Sequence, residues 1–135
     1  MYSKQQVDKA IVEPDKLKAI FDSCLEYFNL TEEEVRERYA FSKTRFARWY
    51  FVYIAETQSE KAFPAPALGY YLDRYDNEIY SLKRTARNNV TKDEYFRTML
   101  FDIVRIIKDK GYNVRLPKNL VGKYNHYEQN KIHQE

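Results

Sequence analysis

Residues 64–88, PAPALGYYLDRYDNEIYSLKRTARN, decide the fold class. The stretch reads as a short apolar helix, a polar connection, and a second helix with basic and polar residues on its outward side. Pro64 and Pro66 favour a helix start, and Gly69 would let two helices approach closely. This order of features predicts a helix-turn-helix.

The second helix of this stretch has two distinct faces. Asp76 is predicted to be its N-cap, and Ile79, Leu82 and Ala86 recur at the three-to-four spacing that buries one stripe. The opposite face carries hydrogen-bond donors and cations, which can contact base edges when a helix lies in the major groove. An ordinary helical hairpin with a solvated outer face would show the same local pattern. The predicted base-contacting residues are Asn77, Tyr80, Ser81 and Arg84.

The basic residues are clustered, although the net charge of +3 is mild. One cluster lies in residues 36–48 and another in residues 74–92, whereas acids concentrate in residues 32–34. Two basic clusters around one helix predict a phosphate-binding surface. A solvated surface of mixed charge is the alternative explanation. The predicted phosphate contacts are Arg45, Arg48, Arg74, Lys83 and Arg87.

Length and composition indicate one small all-α domain. The chain has 135 residues, with only three Gly and four Pro and few alternating β-branched runs. A single cysteine, Cys24, excludes an intramolecular disulfide and a cysteine-rich zinc cluster. The N-terminus lacks the apolar core of a signal peptide, and no segment approaches the roughly twenty apolar residues that cross a bilayer. We therefore expect a soluble, cytoplasmic protein without a membrane partner.

Three regions are predicted along the chain: a flexible N-terminus at 1–12, a helical domain at 13–111, and a basic, tyrosine-containing tail at 112–135. The tail shows no helical periodicity, and packing against the domain is the alternative to disorder. Outside the helix-turn-helix, the predicted helices run from about 14 to 28, 31 to 39, 43 to 56 and 91 to 110. Capping boxes at Thr31 with Glu34 and at Thr91 with Glu94 open two of them, and Asn88 and Asn89 are predicted to end the second helix of the motif.

The sequence has few motifs or side chains of the kinds that form catalytic or metal sites. There is no glycine-rich nucleotide-binding motif, and His126 and His133 are the only histidines, both in the predicted tail. Carboxylate pairs such as Asp73 with Asp76 are explained by helix capping or solvation. Since none of the recurrent catalytic arrangements is visible, we predict no enzymatic activity, no cofactor and no metal site.

The run from Leu30 through Asn89 resembles the C-terminal DNA-binding domain of DnaA, the bacterial chromosomal replication initiator, and the stand-alone DnaA-like helix-turn-helix proteins. In that family a basic segment leads to an arginine that opens a helix ending in an aliphatic pair. Here residues 41–45 lead to Arg48, and Tyr53 and Ile54 take the places of the pair.

The resemblance continues into the helix-turn-helix. Leu68 and Gly69 match the family's aliphatic-glycine step in the short helix, and the family's Asp-His-Thr-Thr-Val signature aligns with residues 76–80. Only the aspartate of that signature is retained, with Asn77 in place of the histidine and Glu78 in place of a threonine. The resemblance implies a compact multi-helix domain, a recognition helix that starts at the aspartate, and Arg48 as a phosphate or scaffold residue.

Together the residues and the resemblance predict a protein that binds double-stranded DNA, with or without sequence specificity, in replication or transcription control. The alternative is a protein-interaction domain that has the DnaA-like fold and has lost DNA binding. Exposed aromatic residues would then make the contacts, and Tyr70, Tyr75 and Tyr80 lie near the motif. A contiguous aromatic patch without surrounding cations would favour this alternative.

Overall fold

The computed structural model describes residues 13–38, 41–58 and 63–134. This part of the chain contains seven helices and no strand, which confirms the all-α prediction. The predicted N-terminal segment 1–12 lies outside the described residues. The helices are α1 (Pro14–Phe28), α2 (Glu32–Arg36), α3 (Ser42–Gln58), α4 (Ala65–Leu72), α5 (Asp76–Lys92), α6 (Glu94–Asp109) and α7 (Lys118–Gln134).

Helix α3 is the centre of the fold. Phe51, Val52, Ile54 and Ala55 are all buried, so apolar residues surround the second half of this helix. A helix that is apolar all round must be covered on every side. Accordingly, α1, α2, α4 and α5 all pack against it. Helices α1 and α5 also contact α6, which closes the core.

The start of α2 is fixed by a reciprocal cap. The Thr31 hydroxyl accepts a hydrogen bond from the Glu34 amide at 3.1 Å, and the Glu34 carboxylate accepts one from the Thr31 amide at 3.0 Å. The bond from the Thr31 amide, with a smaller contribution from the Thr31 hydroxyl, lowers the pKa of the Glu34 carboxyl group. The predicted capping box is confirmed, although α2 ends at Arg36 rather than near residue 39.

The boundary between α5 and α6 differs from the prediction. Helix α5 continues through Asn88 and Asn89 to Lys92, because Val90 extends its buried stripe by another turn. The residue that caps α6 is Asp93, whose carboxylate accepts a hydrogen bond from the Tyr95 amide at 2.8 Å. The capping box predicted at Thr91 is therefore wrong.

The predicted tail contains a helix. Gly111 has a φ of 96° and ends α6 as expected, but α7 follows from Lys118. Leu120 and Tyr124 are buried in the common core, and the rings of Tyr124 and Phe101 lie 5.4 Å apart. Because one leucine and two tyrosines form the packed stripe of an otherwise polar helix, its periodicity is weak in the sequence.

A carboxylate of α6 joins three helices. Asp102 accepts hydrogen bonds from the Tyr27 hydroxyl of α1 at 2.9 Å and from the Tyr127 hydroxyl of α7. Burial raises the pKa of both tyrosines, and the hydrogen bonds to Asp102 raise it further. Among the described helices none has the length and apolar character that a bilayer crossing requires.

Candidate nucleic-acid interface

A tight turn connects α4 and α5. Asp73 adopts a left-handed conformation with φ 56°, and the Arg74 amide donates to the Gly69 carbonyl at 2.9 Å. A Cβ atom at position 69 would lie 2.4 Å from the Arg74 carbonyl oxygen. Gly69 therefore permits a close approach, as predicted, but to the connecting backbone more than to α5, whose nearest atom is Ile79 Cγ1 at 3.9 Å.

Helix α5 separates a packed face from an exposed face. Ile79, Ala86 and Val90 are buried, and the helix packs against α3, α4 and α6. All four predicted base-contacting residues are exposed, and their spacing of three or four residues puts them on one face. From Asn77 to Arg84 this face extends about 10 Å along the helix axis, close to the roughly 12 Å width of a DNA major groove.

Two side chains dominate the exposed face of α5. Tyr80 is 56% exposed, and the Lys83 ammonium lies 5.3 Å from the centroid of its ring. Arg84 is exposed and makes no ion pair with any residue that the structure describes. The guanidinium of Arg84 is thus available to an external acceptor.

Arg48 is a scaffold residue and not a surface cation. It is only 6% exposed; its Nε donates to the Val35 carbonyl at 2.7 Å, and its Nη2 donates to the Glu37 carbonyl. Burial lowers the pKa of Arg48 to about 10, and the nearby Arg74 guanidinium also lowers it. The expected phosphate contact is therefore replaced by the scaffold role that the DnaA resemblance also implied.

The guanidinium of Arg74 is also occupied by contacts within the protein. Its Nη1 donates to the carbonyls of Arg36 at 3.0 Å and Leu72 at 3.1 Å, and its Nε pairs with the Glu78 carboxylate at 3.5 Å. Together, Arg48 and Arg74 cover the carbonyl groups at the end of α2, which no longer have helical partners. The structure does not support Arg74 as a phosphate contact.

Lys83 is the third residue for which the structure does not support the predicted contact with phosphate. The residue is 5% exposed, and its ammonium lies over the Tyr80 ring, so little of the side chain is open to a phosphate. Arg45 and Arg87 remain exposed, as predicted. Arg87 is paired with Glu56 of α3, its Nη2 lying 2.7 Å from the carboxylate oxygen.

The remaining cations, Arg45 and Arg87, belong to α3 and α5, which pack against each other. Arg48 of α3 lies close enough to Glu78 of α5 for their charges to interact, and Glu56 of α3 pairs with Arg87 of α5. The two helices therefore run in the same direction. Arg45, one turn before Arg48, is at the end of α5 that carries Asn77.

Carboxylates also occur at the N-terminal end of α5. Asp73, Asp76 and Glu78 are exposed there. They would repel phosphates, although Glu78 is partly neutralised by Arg74 and a glutamate can accept a hydrogen bond from a cytosine amine. The more basic part of the exposed face thus lies toward Arg84.

No cluster of three or more His, Cys, Asp or Glu side chains suited to a metal ion occurs within residues 13–38, 41–58 and 63–134. Cys24 is buried, and burial raises the pKa of its thiol. A buried thiol with a raised pKa is a weak nucleophile.

Comparison with protein-family models, with curated proteins and with solved structures finds no match to this chain. The resemblance to DnaA therefore remains a prediction that rests on the residues quoted above.

Proposed function

We propose that this protein binds double-stranded DNA without enzymatic activity and uses α4 and α5 as a helix-turn-helix. One observation supports the proposal above all others. Helix α5 exposes Asn77, Tyr80, Ser81 and Arg84 on a single face, while its opposite face is fixed against three other helices. A rigid helix with donors and a cation on its outer face suits direct reading of base edges.

Each residue of this face has a role in the proposed complex. Arg84 would donate to the O6 and N7 acceptors of guanine, and Asn77 would pair with the N6 and N7 atoms of adenine. Tyr80 would pack against a thymine methyl group, with Ser81 as a further hydrogen-bonding group. Arg45 and Arg87 would contact phosphates on either side. We propose replication or transcription control as the process, by analogy with DnaA.

The surroundings of the exposed aromatic residues favour DNA over a protein partner. Tyr80 is flanked by Lys83 and Arg84, and Tyr70 is half-buried and packed on the core. The exposed ring on the outward face of α5, that of Tyr80, is thus accompanied by cations. One observation favours the second candidate, a protein-interaction domain: Tyr75 is 71% exposed and lies between the exposed carboxylates Asp73 and Asp76.

The test is fluorescence anisotropy of a labelled random duplex at increasing salt concentrations. If Arg45 and Arg87 neutralise two phosphates, the logarithm of the association constant should fall with the logarithm of salt with a slope of about −2. Arg84→Gln should weaken binding about tenfold, a loss within the range of one arginine contact to a base.

Lys18→Gln is the matched control, because it removes one exposed positive charge from α1, which packs on α3 and α6. This variant should bind as the parent protein does. Absence of binding at low salt would overturn the proposal and favour the protein-interaction domain. Equal weakening by both substitutions would show binding by net charge alone and would remove α5 from its proposed role.

A further inference from the structure

A groove of about 690 Å³ lies between α6 and α7, outside the helix-turn-helix. This volume is within the range of pockets that hold small molecules, roughly 300–1,000 Å³. The α6 side contributes Arg97, Thr98 and Phe101, and the α7 side contributes Lys123, Tyr127 and Lys131.

The rim of the groove is predominantly cationic. Arg97, Lys123 and Lys131 line it together with one carboxylate, that of Glu94. Arg97 is fixed in place, because its Nη1 donates to the carbonyls of Val90 at 3.2 Å and Thr91 at 3.1 Å. Its Nε and Nη2 make no hydrogen bond to the residues that the structure describes, and can donate to a bound anion.

The floor of the groove is aromatic and rigid. Phe101 is buried, and its ring centroid lies 5.5 Å from that of Tyr127. The Tyr127 hydroxyl is held by Asp102, and its ring stacks on Tyr124 at 5.8 Å. The Lys131 ammonium lies over the Tyr127 ring, 5.7 Å from its centroid, which brings a cation directly beside the aromatic floor.

Gly122 leaves one wall of the groove open. A Cβ atom at this position would have no neighbour within 4 Å, so no close backbone contact requires a glycine here. Glycine inside a helix costs about 0.5–1 kcal/mol relative to alanine. A larger side chain at position 122 would enter the groove without disturbing the packed side of α7.

We propose that this groove binds a small anion that carries an aromatic ring, such as a nucleoside monophosphate. The ring would lie on Phe101 and Tyr127, and the anionic group would be bound by Arg97, Lys123 and Lys131. The site is separate from the proposed DNA-reading face and does not depend on it.

Isothermal titration of the full chain with adenosine monophosphate, adenosine and inorganic phosphate tests this site. The monophosphate should bind saturably with one site per chain and at least tenfold more tightly than adenosine, because the cations recognise its charge. Binding of adenosine equal to that of the monophosphate would overturn the anionic part of the proposal. Absence of binding by the monophosphate at millimolar concentration would overturn the whole proposal.

Substitutions at Gly122 locate the binding. Gly122→Phe should fill the groove and reduce affinity at least tenfold, whereas Gly122→Ala should leave affinity unchanged. Circular dichroism checks that both variants fold. If Gly122→Phe does not fold, the double variant Lys123→Gln, Lys131→Gln serves instead, and it should reduce affinity at least tenfold.

Two surface variants make the result specific to the groove. Arg84→Gln and Lys18→Gln should each bind the monophosphate as the parent does, since neither residue lines the groove. Retention of affinity in the double lysine variant, or its loss in Arg84→Gln, would place the anion elsewhere and contradict the proposal.

Discussion

The α-carbon of Gly69 faces the carbonyl oxygen of Arg74 so closely that a Cβ atom would lie only 2.4 Å away. The obstructing atom belongs to the backbone and cannot rotate away as a side chain can. This contact sets the path of the chain between α4 and α5, and hence the direction in which α5 presents its exposed face. The geometry of the α4–α5 connection thus depends on the absence of a side chain at one position.

Gly69→Ala should therefore lower the free energy of unfolding by about 2 kcal/mol or more, a loss typical of a backbone clash in a packed turn. Gly122→Ala is the matched control, since position 122 is open and alanine there should add about 0.5–1 kcal/mol. Urea unfolding followed by circular dichroism measures both. Equal stabilisation by the two alanines would contradict the close approach.

Substitution of Arg48 should reduce the stability of the fold, whereas substitution of Arg45 should reduce DNA binding. Arg48→Met leaves the Val35 carbonyl without its buried donor and the Glu37 carbonyl with only its bond to Arg74, and should cost about 2–4 kcal/mol in the free energy of unfolding. Arg45→Met removes an exposed cation one turn away, and should change stability by less than about 0.5 kcal/mol.

When both variants are folded, Arg45→Met should weaken DNA binding more than Arg48→Met does. Arg45→Met should weaken binding and reduce the salt slope by about one, because one phosphate contact is lost. A stable Arg48→Met variant with weakened DNA binding would indicate that Arg48 contacts a phosphate after all.

Glu56 limits the availability of Arg87. Its carboxylate lies 2.7 Å from the Arg87 guanidinium, and a pair whose cation is exposed to solvent contributes little to stability. Glu56→Gln should therefore release Arg87 and strengthen DNA binding about two- to fivefold. Glu26→Gln is the control, because Glu26 pairs with Lys110 at 3.1 Å, away from α5. Unchanged affinity in Glu56→Gln would mean that Arg87 makes no phosphate contact.

Tyr127 should anchor α7 to the rest of the fold. Tyr127→Phe removes the hydroxyl that donates to Asp102 and should lower the free energy of unfolding by about 1–2 kcal/mol, as expected for a bond to a charged acceptor. Tyr95→Phe, at a position that is 65% exposed, should have no measurable effect. Thermal unfolding of both variants gives the comparison, and equal midpoints would show that the Asp102 contact does not hold α7.

Local signals made parts of this structure predictable. The Thr31 cap, the end of α6 at Gly111 and the outward face of α5 each depend on residues within a few positions of one another. The burial of Arg48 could also have been found, because it lies in the same stripe as the buried Ala47 and Phe51. Its partners, however, are carbonyl groups of another helix, and no sequence pattern reports them.

The predictions that were wrong concern residues whose environment is set by tertiary contacts. Arg74 is turned away from solvent by carbonyls up to 38 positions distant, and Lys83 is covered by packing of α5 against its neighbours. Helix α7 was missed because its buried stripe is built largely from tyrosines, whose hydroxyls need partners that only the folded chain supplies.

Photocrosslinking to duplex DNA from a single engineered cysteine tests directly whether α5 contacts DNA. Cys24 is buried and should not react, so a maleimide crosslinker can be attached at one chosen position. Ser81→Cys places the crosslinker on the outward face of α5, and Lys18→Cys places it on exposed α1. We expect efficient crosslinking from position 81 and little from position 18. Crosslinking from position 18 alone, or from neither position, would contradict the assignment of α5 as the DNA-binding helix.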